Sequence, residues 1–210
     1  MGALFKFGAK THMEQFLEEG LLYMHTLNWF SEVEDEALRA DPNEGLLACW
    51  QSALVTVHFG QRVTGDTAPI RRDFTEHPSA NVFCMYSYGL QSAWIDPKNH
   101  RSREMCAVIH KREAFIERLV AAFEAQSWFN RLQVGSVRYV EPGIHPAEAN
   151  PFQKTLAYSY QHEFRIALSP ALADPCQFRI GDLTDIGFLM QANTVNRIPM
   201  HENLLPPKRA

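Results

Sequence analysis

The amino-acid sequence predicts an α+β fold: a mostly antiparallel, split and twisted sheet with two or three packed helices. Runs typical of strands outnumber helical patterns along the 210 residues. They do not alternate regularly with helices, which argues against a doubly wound parallel sheet. No internal repeat is present. The length fits a single domain over residues 1–210, with a flexible polar connection near residues 60–80 and a loose tail at residues 203–210.

The first unit is predicted to be a strand, a short helix and a second strand. Residues 3–8 are typical of a strand. The helix is expected to begin at a capping box, Thr11-x-x-Glu14, in which each side chain satisfies the other residue's backbone amide. Gly20 stands where a glycine commonly ends a helix. Residues 21–27 then resume as a strand.

The most regular helical pattern covers residues 111–125. Its apolar positions recur at helical spacing and are Phe115, Leu119, Ala122 and Phe123. One or two strands are expected within residues 46–59. Further runs rich in strand-forming residues cover residues 82–88, 104–110, 134–140, 161–168 and 177–180.

Charge and cysteine usage narrow the classes of function. The net charge is -4, which argues against a broad basic face for non-specific nucleic-acid binding. None of the four cysteines forms a C-x-x-C pair, and we expect buried, reduced thiols rather than a zinc site. The sequence has no signal-peptide pattern and no apolar run of about 18 residues. We therefore expect a cytoplasmic protein with no membrane partner.

Several common catalytic motifs are absent. The sequence has no P-loop, no G-x-G-x-x-G, no G-x-S-x-G and no H-E-x-x-H. These absences exclude the commonest nucleotide-hydrolase, dehydrogenase, esterase and zinc-protease interpretations. The nine histidines have no spacing typical of metal ligands, so no metal cofactor is expected.

The segment around residue 163 is the first positive signal of a site. If it is a strand, Gln161, Glu163 and Arg165 share one face. His162 and Phe164 would then point towards the core. A row of polar groups beside an apolar row fits a cleft lining, and it also fits the solvated face of an edge strand.

This segment resembles the Q-x-E element of one branch of the ADP-ribosyltransferases, through Gln161-x-Glu163. The N-terminal layout is also similar, because Lys6 lies on a first strand that a short helix and a glycine follow. The next strand carries the remaining elements of the resemblance, which are Tyr23, His25 and Thr26. Lys6 stands where the family has Arg or His, and only Thr26 stands in for its Ser-Thr-Ser element.

The resemblance implies NAD as the substrate and names residue roles. Glu163 would stabilise the nicotinamide ribose as the glycosidic bond breaks, and Gln161 would help to select the acceptor. The remaining cofactor-binding residues would be Lys6, Tyr23, His25, Thr26 and Arg165. Physically, a carboxylate close to the ribose stabilises an oxocarbenium-like state, and Arg pairs well with a pyrophosphate. Tyr23, Trp29 and Phe30 are candidates to stack on nicotinamide, and they also fit a core.

A second resemblance overlaps the first. A bacterial family of unknown function carries a phenylalanine, then a D-P-x-E loop and later an E-[WF]-R strand. The chain is similar to it through Phe30, Asp41-Pro42-Asn43-Glu44 and the later Glu163-Phe164-Arg165. This resemblance implies that Asp41 and Glu44 join Glu163 and Arg165 in one constellation, and it names no activity. Asp41-Pro42 also fits a simple turn.

The leading hypothesis is therefore an NAD-dependent ADP-ribosyltransferase-like enzyme that modifies a protein side chain or a nucleobase. One alternative is a non-catalytic phage or bacterial interaction protein, an inhibitor in defence or counter-defence. Another is a hydrolase of glycosidic bonds or nucleotides. The enzyme hypothesis requires that Glu163, Arg165 and the strand of Lys6 converge on one cleft.

Overall fold

The computed structural model describes residues 2–32, 46–50, 57–59, 62–64, 70–73, 80–89, 94–126, 131–141 and 150–197, with only the backbone at 31–32 and 46–73. Three α-helices lie in these ranges: α1 Lys10–Glu19, α2 Leu27–Glu32 and α3 Arg112–Glu124. The strands are β1 Ala3–Gly8, β2 Leu21–Thr26, β3 Leu46–Trp50, β4 Val57–Phe59, β5 Arg62–Thr64, β6 Ile70–Asp73, β7 Asn81–Tyr88, β8 Met105–Ile109, β9 Arg131–Ser136, β10 Arg138–Val140, β11 Gln153–Thr155, β12 Glu163–Ser169, β13 Cys176–Arg179 and β14 Gly187–Gln191.

The fold is α+β, as the sequence predicted, and its main sheet is open and antiparallel. The strand order is β13-β2-β7-β1-β8-β14, and β12 pairs with both β7 and β9. Strands β10 and β11 form a separate parallel pair beside it. The pairs β3–β6 and β4–β5 are antiparallel. They lie partly inside the stretch near residues 60–80 that the sequence suggested to be a connection.

The main sheet divides at β7, which has different partners along one edge. Residues 3–5 of β1 pair with residues 86–88 of β7, whereas residues 25–26 of β2 pair with residues 81–82. Strand β12 covers the opposite edge. Residues 83–85 therefore face a gap between β1 and β2, which we call the fork. Because β1 continues to β8 and β2 continues to β13, the fork separates two prongs of the sheet.

The two faces of the sheet carry different cores. Helices α1 and α3 cover one face, where Phe16, Phe115 and Phe164 belong to the largest buried cluster. Phe5 and Tyr86 belong to a second cluster on the opposite face. Alternation along β12 places the side chains on either side of Phe164 on this second face. The fold thereby positions Glu163 and Arg165 away from the helices.

Helix α1 closes with the glycine that the sequence indicated, but it begins differently. Gly20 has φ 62 and ψ 31, and its amide donates to the Gln15 carbonyl. Its Cα lies so close to the Gly181 backbone that a Cβ would collide with it. The capping-box prediction is wrong, since the helix begins at Lys10 and Ala9 precedes it with no side-chain cap. Because Thr11 lies inside the first turn, it does not occupy the capping position.

Other sequence predictions met mixed outcomes. The strand predicted over residues 161–168 begins two residues later, at Glu163. Within the described residues, no helix combines the length and apolar character needed to cross a bilayer. Asp41, Glu44 and the tail at 203–210 lie outside the described residues.

Candidate functional site

A pocket of about 790 Å³ opens at the fork, within the range of roughly 300–1,000 Å³ that is typical of ligand sites. Both prongs, the start of α1, strand β7 and the β12 segment contribute to its wall. Six of the residues that the resemblance implies line this fork pocket: Lys6, Tyr23, His25, Gln161, Glu163 and Arg165. Residues 6 and 163 are distant in sequence, so the fold brings them together. The convergence required by the enzyme hypothesis is met.

Glu163 lies between two buried cations, which form with it an ion-pair triad. Its carboxylate accepts from Lys154 Nζ at 3.0 Å and from Arg165 Nε at 2.7 Å. The Arg165 side chain is 1% exposed and that of Glu163 is 11% exposed. Arg165 also donates through Nη1 to the Pro151 carbonyl at 2.7 Å. The sequence placed Glu163 and Arg165 on one face, and their ion pair confirms it.

The triad fixes the charge of the carboxylate. Burial by itself raises the pKa of the Glu163 carboxyl, but Arg165 and Lys154 outweigh burial and lower that pKa to about 2. An ionised buried carboxylate is stable only when it is paired in this way. Glu163 is therefore ionised at neutral pH, and its contacts with Lys154 and Arg165 hold it in one orientation.

Tyr139 contacts the backbone of the same residue, Glu163. The Glu163 amide donates to the Tyr139 hydroxyl oxygen at 2.8 Å. Burial and the neighbouring Glu163 carboxylate raise the pKa of the Tyr139 phenol well above its ordinary value. The phenol thus remains neutral and serves as a fixed polar contact at the start of β12.

Gln161 reaches the pocket by a route that differs from the predicted one. It is the last residue of a 3₁₀ segment, Leu156–Gln161, and is buried there. His162 follows with a left-handed φ of 41 and its amide donates to the Ser159 carbonyl. The predicted strand alternation across Gln161 and His162 is therefore wrong. His162 is exposed rather than in the core, with its ring edge against Tyr86.

Lys6 spans the fork itself. Its ammonium donates to the Cys84 carbonyl at 2.7 Å and lies 4.2 Å from the centroid of the Phe83 ring. Cys84 belongs to the part of β7 that pairs with neither prong. A lysine at this point thus satisfies a backbone acceptor that strand pairing would otherwise satisfy.

An aromatic cluster of Tyr23, His25, Trp29 and Phe30 lies on the β2 prong. The rings of His25 and Trp29 stack at 3.7 Å with an interplanar angle of 10°. Tyr23 and Phe30 contact His25 edge-on. All four side chains line the fork pocket.

Asp174 holds this prong in place. His25 Nδ1 lies 2.8 Å from the Asp174 carboxylate, so Nδ1 is the donor because a carboxylate only accepts. Thr26 donates its hydroxyl to the same carboxylate at 2.7 Å and accepts from the Trp29 amide. Thr26 is buried and lies outside the pocket lining. It stabilises β2 and α2, rather than presenting its hydroxyl to a cofactor.

Positive charge dominates the pocket wall. Lys6, Lys98, Arg103, Lys154, Arg165 and Arg179 contribute to the described lining, against the single carboxylate of Glu163. One of these cations, Arg179, pairs with Glu19 at 3.1 Å. A concave surface with this excess of cations concentrates anionic ligands. The chain as a whole carries net charge -4, so the positive charge is local to the site.

The loop before β8 brings two of those cations to the rim. Asn99 donates to the Tyr160 carbonyl at 2.9 Å, and the Lys98 ammonium lies 4.8 Å from the centroid of the Tyr160 ring. At its start, Ile95 exchanges two hydrogen bonds with the Asn196 amide group. The loop is thus anchored at its start and at its middle.

Sequence reasoning missed two contributors. Lys154 lies nine positions before Glu163 on β11, in a stretch with no motif. Asp174 lies in a turn between β12 and β13, and nothing in the sequence linked it to His25. Both contacts depend on tertiary pairing, so only the fold makes them visible.

Among the described residues, no cluster of three or more His, Cys, Asp or Glu side chains is arranged to bind a metal ion.

Comparison with known proteins found no match to a family model, to a curated protein or to a solved structure.

Proposed function

We propose that this protein is an ADP-ribosyltransferase-like enzyme that cleaves the bond between nicotinamide and ribose of NAD in the fork pocket. The observation that supports it most is the convergence of Lys6, Glu163 and Arg165 on one pocket lined with cations. That pocket is large enough for a ligand, and its charge suits a pyrophosphate.

In the proposed reaction, the bond between ribose C1′ and the nicotinamide nitrogen breaks. Its electron pair goes to the nitrogen, which neutralises the pyridinium ring. Positive charge develops on C1′ and the ring oxygen, and the fixed Glu163 carboxylate stabilises it. The acceptor then forms a bond to C1′ and releases a proton.

The ion-pair triad is compatible with this role. A carboxylate offers about four acceptor positions, and the contacts with Lys154 and Arg165 use two of them. A ribose hydroxyl can therefore bind Glu163 while both ion pairs persist. The pyrophosphate of NAD would offset the surrounding positive charge, which otherwise weakens the field of Glu163 at the ribose.

The acceptor in this proposal is a macromolecule, either a protein side chain or a nucleobase, that approaches beside Gln161. By the resemblance to the Q-x-E branch, Gln161 orients that acceptor. Its burial at the end of a 3₁₀ segment fits a residue with a fixed orientation.

A second candidate function is non-catalytic binding of an anionic ligand. It is favoured by one observation, which is that both oxygens of Glu163 are already held by buried cations. In that case the triad positions Lys154 and Arg165, and no bond of the ligand is broken.

The test is NAD turnover by the purified full chain, with and without a cell lysate. NAD labelled in its adenylate part reports transfer, and free nicotinamide reports cleavage. Glu163→Gln is the active-site variant, and Glu117→Gln is the matched control on the exposed face of α3. Removal of one group that stabilises transition-state charge, such as an oxyanion-hole donor, typically lowers the rate by about 10²–10³, and we expect a loss of at least this order in Glu163→Gln.

Nicotinamide release by the wild type and by Glu117→Gln, lost in Glu163→Gln, would support the enzyme. Label transfer would identify a transferase, whereas release without transfer would identify a hydrolase. Tight NAD binding without any release would favour the non-catalytic candidate. If the wild type neither binds nor cleaves NAD, the proposal is wrong.

A further inference from the structure

The chemical groups of the fork pocket follow one another along the face of β7 that lies opposite the helices. Glu163 pairs with Tyr86, and Arg165 pairs with Cys84. His25, in the aromatic cluster, pairs with Val82 from the other edge. Along this face of β7, from residue 86 to residue 82, the carboxylate of Glu163 comes first, the guanidinium of Arg165 second and the aromatic cluster last.

The two ends of this row are well separated. Tyr86 and Val82 are four positions apart on one strand, which corresponds to about 13 Å at about 3.3 Å per residue. The Glu163 carboxylate and the His25 ring thus do not act on the same atom. The separation is of the order that the ribose–pyrophosphate–ribose linker of an extended dinucleotide covers.

Cations lie at the level of the middle of the row. Arg165 lies one pleat from Glu163, and Lys6 reaches the Cys84 carbonyl from the fork. Both lie at the level of Cys84 along β7, but only Arg165 lies on this face. The Lys6 ammonium lies in the fork towards the helix face, where it contacts the Phe83 ring. The level of Cys84 is where the pyrophosphate of a dinucleotide would lie if its two ends occupied the two ends of the row.

The aromatic cluster has the properties of a site for a flat heteroaromatic ring. His25 and Trp29 already form a parallel stack, and Phe30 packs with Val82 and Cys84 in a small core beneath it. Tyr23 remains 47% exposed. Aromatic side chains that are fixed but still accessible are the usual platform on which nucleobases stack.

We infer that the aromatic cluster is the purine subsite of the fork pocket, which binds the adenine ring of NAD and orients the nicotinamide ribose towards Glu163. The inference rests on the proposed function for the identity of the ligand. It reverses the sequence-based expectation that Tyr23, Trp29 and Phe30 stack on nicotinamide. The reason is the strand register, which places His25 at the end of the row that is remote from Glu163. The other three rings of the cluster pack on His25.

The two halves of NAD, used separately, test the subsite. Calorimetric titration of the full chain with AMP and with nicotinamide mononucleotide measures each half alone. Trp29→Leu removes the stacking ring, and Tyr23→Leu removes an exposed ring, which is a mild change for folding. Trp94→Leu is the matched control, because Trp94 is 62% exposed and lies outside the pocket lining.

We expect Trp29→Leu to weaken AMP binding by about 5- to 150-fold, the effect of removing an aromatic side chain on which one base stacks. Tyr23→Leu should weaken AMP binding in the same direction. Nicotinamide mononucleotide should bind both variants within about twofold of the wild type, and Trp94→Leu should bind both ligands normally.

Three results would each overturn the inference. They are no binding of AMP by the wild type, an equally reduced affinity of the two variants for AMP and for nicotinamide mononucleotide, and binding of AMP by both variants as tight as that of the wild type. If Trp29→Leu does not fold, an unchanged AMP affinity in Tyr23→Leu is sufficient to overturn it. Nicotinamide release by the wild type is scored separately. AMP binding that depends on the cluster, without release, would retain the subsite and remove the proposed enzyme.

Discussion

Replacement of Glu163 by glutamine is expected to change how the stability of the protein depends on pH. In the folded chain the ion-pair triad lowers the pKa of Glu163 from an ordinary 4.5 to about 2. A carboxyl whose pKa is lower when folded contributes stability that is present above its unfolded pKa. That contribution is lost as the pH falls from about 4.5 towards 2.

The magnitude follows from the two pKa values. At about 1.4 kcal/mol for each pKa unit, the difference corresponds to about 3 kcal/mol. Glu163→Gln should lose a similar amount at neutral pH, because removal of one partner from a buried pair costs about 3–5 kcal/mol. Lys154 and Arg165 would then remain buried with a neutral neighbour.

The assay is urea unfolding of the wild type, Glu163→Gln and the control Glu117→Gln at several pH values from 7 down to 3. Other carboxylates titrate in all three proteins, so only the difference between the curves reports Glu163. We expect the free energy of unfolding of Glu163→Gln to fall less steeply below pH 4.5 than that of the wild type and the control. Parallel curves, or a neutral-pH loss below about 1 kcal/mol, would refute the triad as the source of the lowered pKa.

Two further predictions concern the scaffold. Gly20→Ala should lower the free energy of unfolding by more than about 1 kcal/mol, because residue 20 has a left-handed φ and a Cβ would collide with neighbouring backbone. Thermal unfolding measures this beside the control Gly89→Ala, where a Cβ meets open space. Equal losses of stability in the two variants would contradict the prediction. Phe115→Ala should cost about 3–5 kcal/mol, since its fully buried ring is a large part of the core under α3. Val120→Ala on the exposed face of α3 should change the free energy of unfolding by less than about 0.5 kcal/mol. Urea unfolding measures both variants. Similar losses at the two positions would contradict the orientation of α3, in which Phe115 faces the core and Val120 faces solvent.

The local features of the fold were predictable because short-range chemistry determines them. The apolar spacing that placed Phe115 and Leu119 on one helical face is the spacing that buries them. Gly20 was recognised because a left-handed residue after a helix strongly favours glycine. The alternation of Glu163 and Arg165 with Phe164 was also correct once the strand began, because the side-chain period of a strand is two.

The site was only partly predictable because it depends on pairing across the sheet. The fork exists since β7 exchanges one partner for another, and no local pattern indicates where a strand changes partners. Lys154 meets Glu163 because β11 pairs with β10. Gln161 departed from the predicted strand because the chain turns through a left-handed residue at His162. Thr26 was expected at the cofactor and instead supports the prong through Asp174.

The central claim is that the fork pocket binds NAD with its glycosidic bond beside Glu163. The most direct measurement is a crystal structure of the full chain with an NAD analogue whose nicotinamide is linked through carbon, so that the bond cannot break. The account predicts that the C1′ atom or the 2′-hydroxyl of that ribose lies about 3–3.5 Å from the Glu163 carboxylate. An analogue bound outside the fork pocket, or bound with its nicotinamide ribose remote from Glu163, would contradict the account.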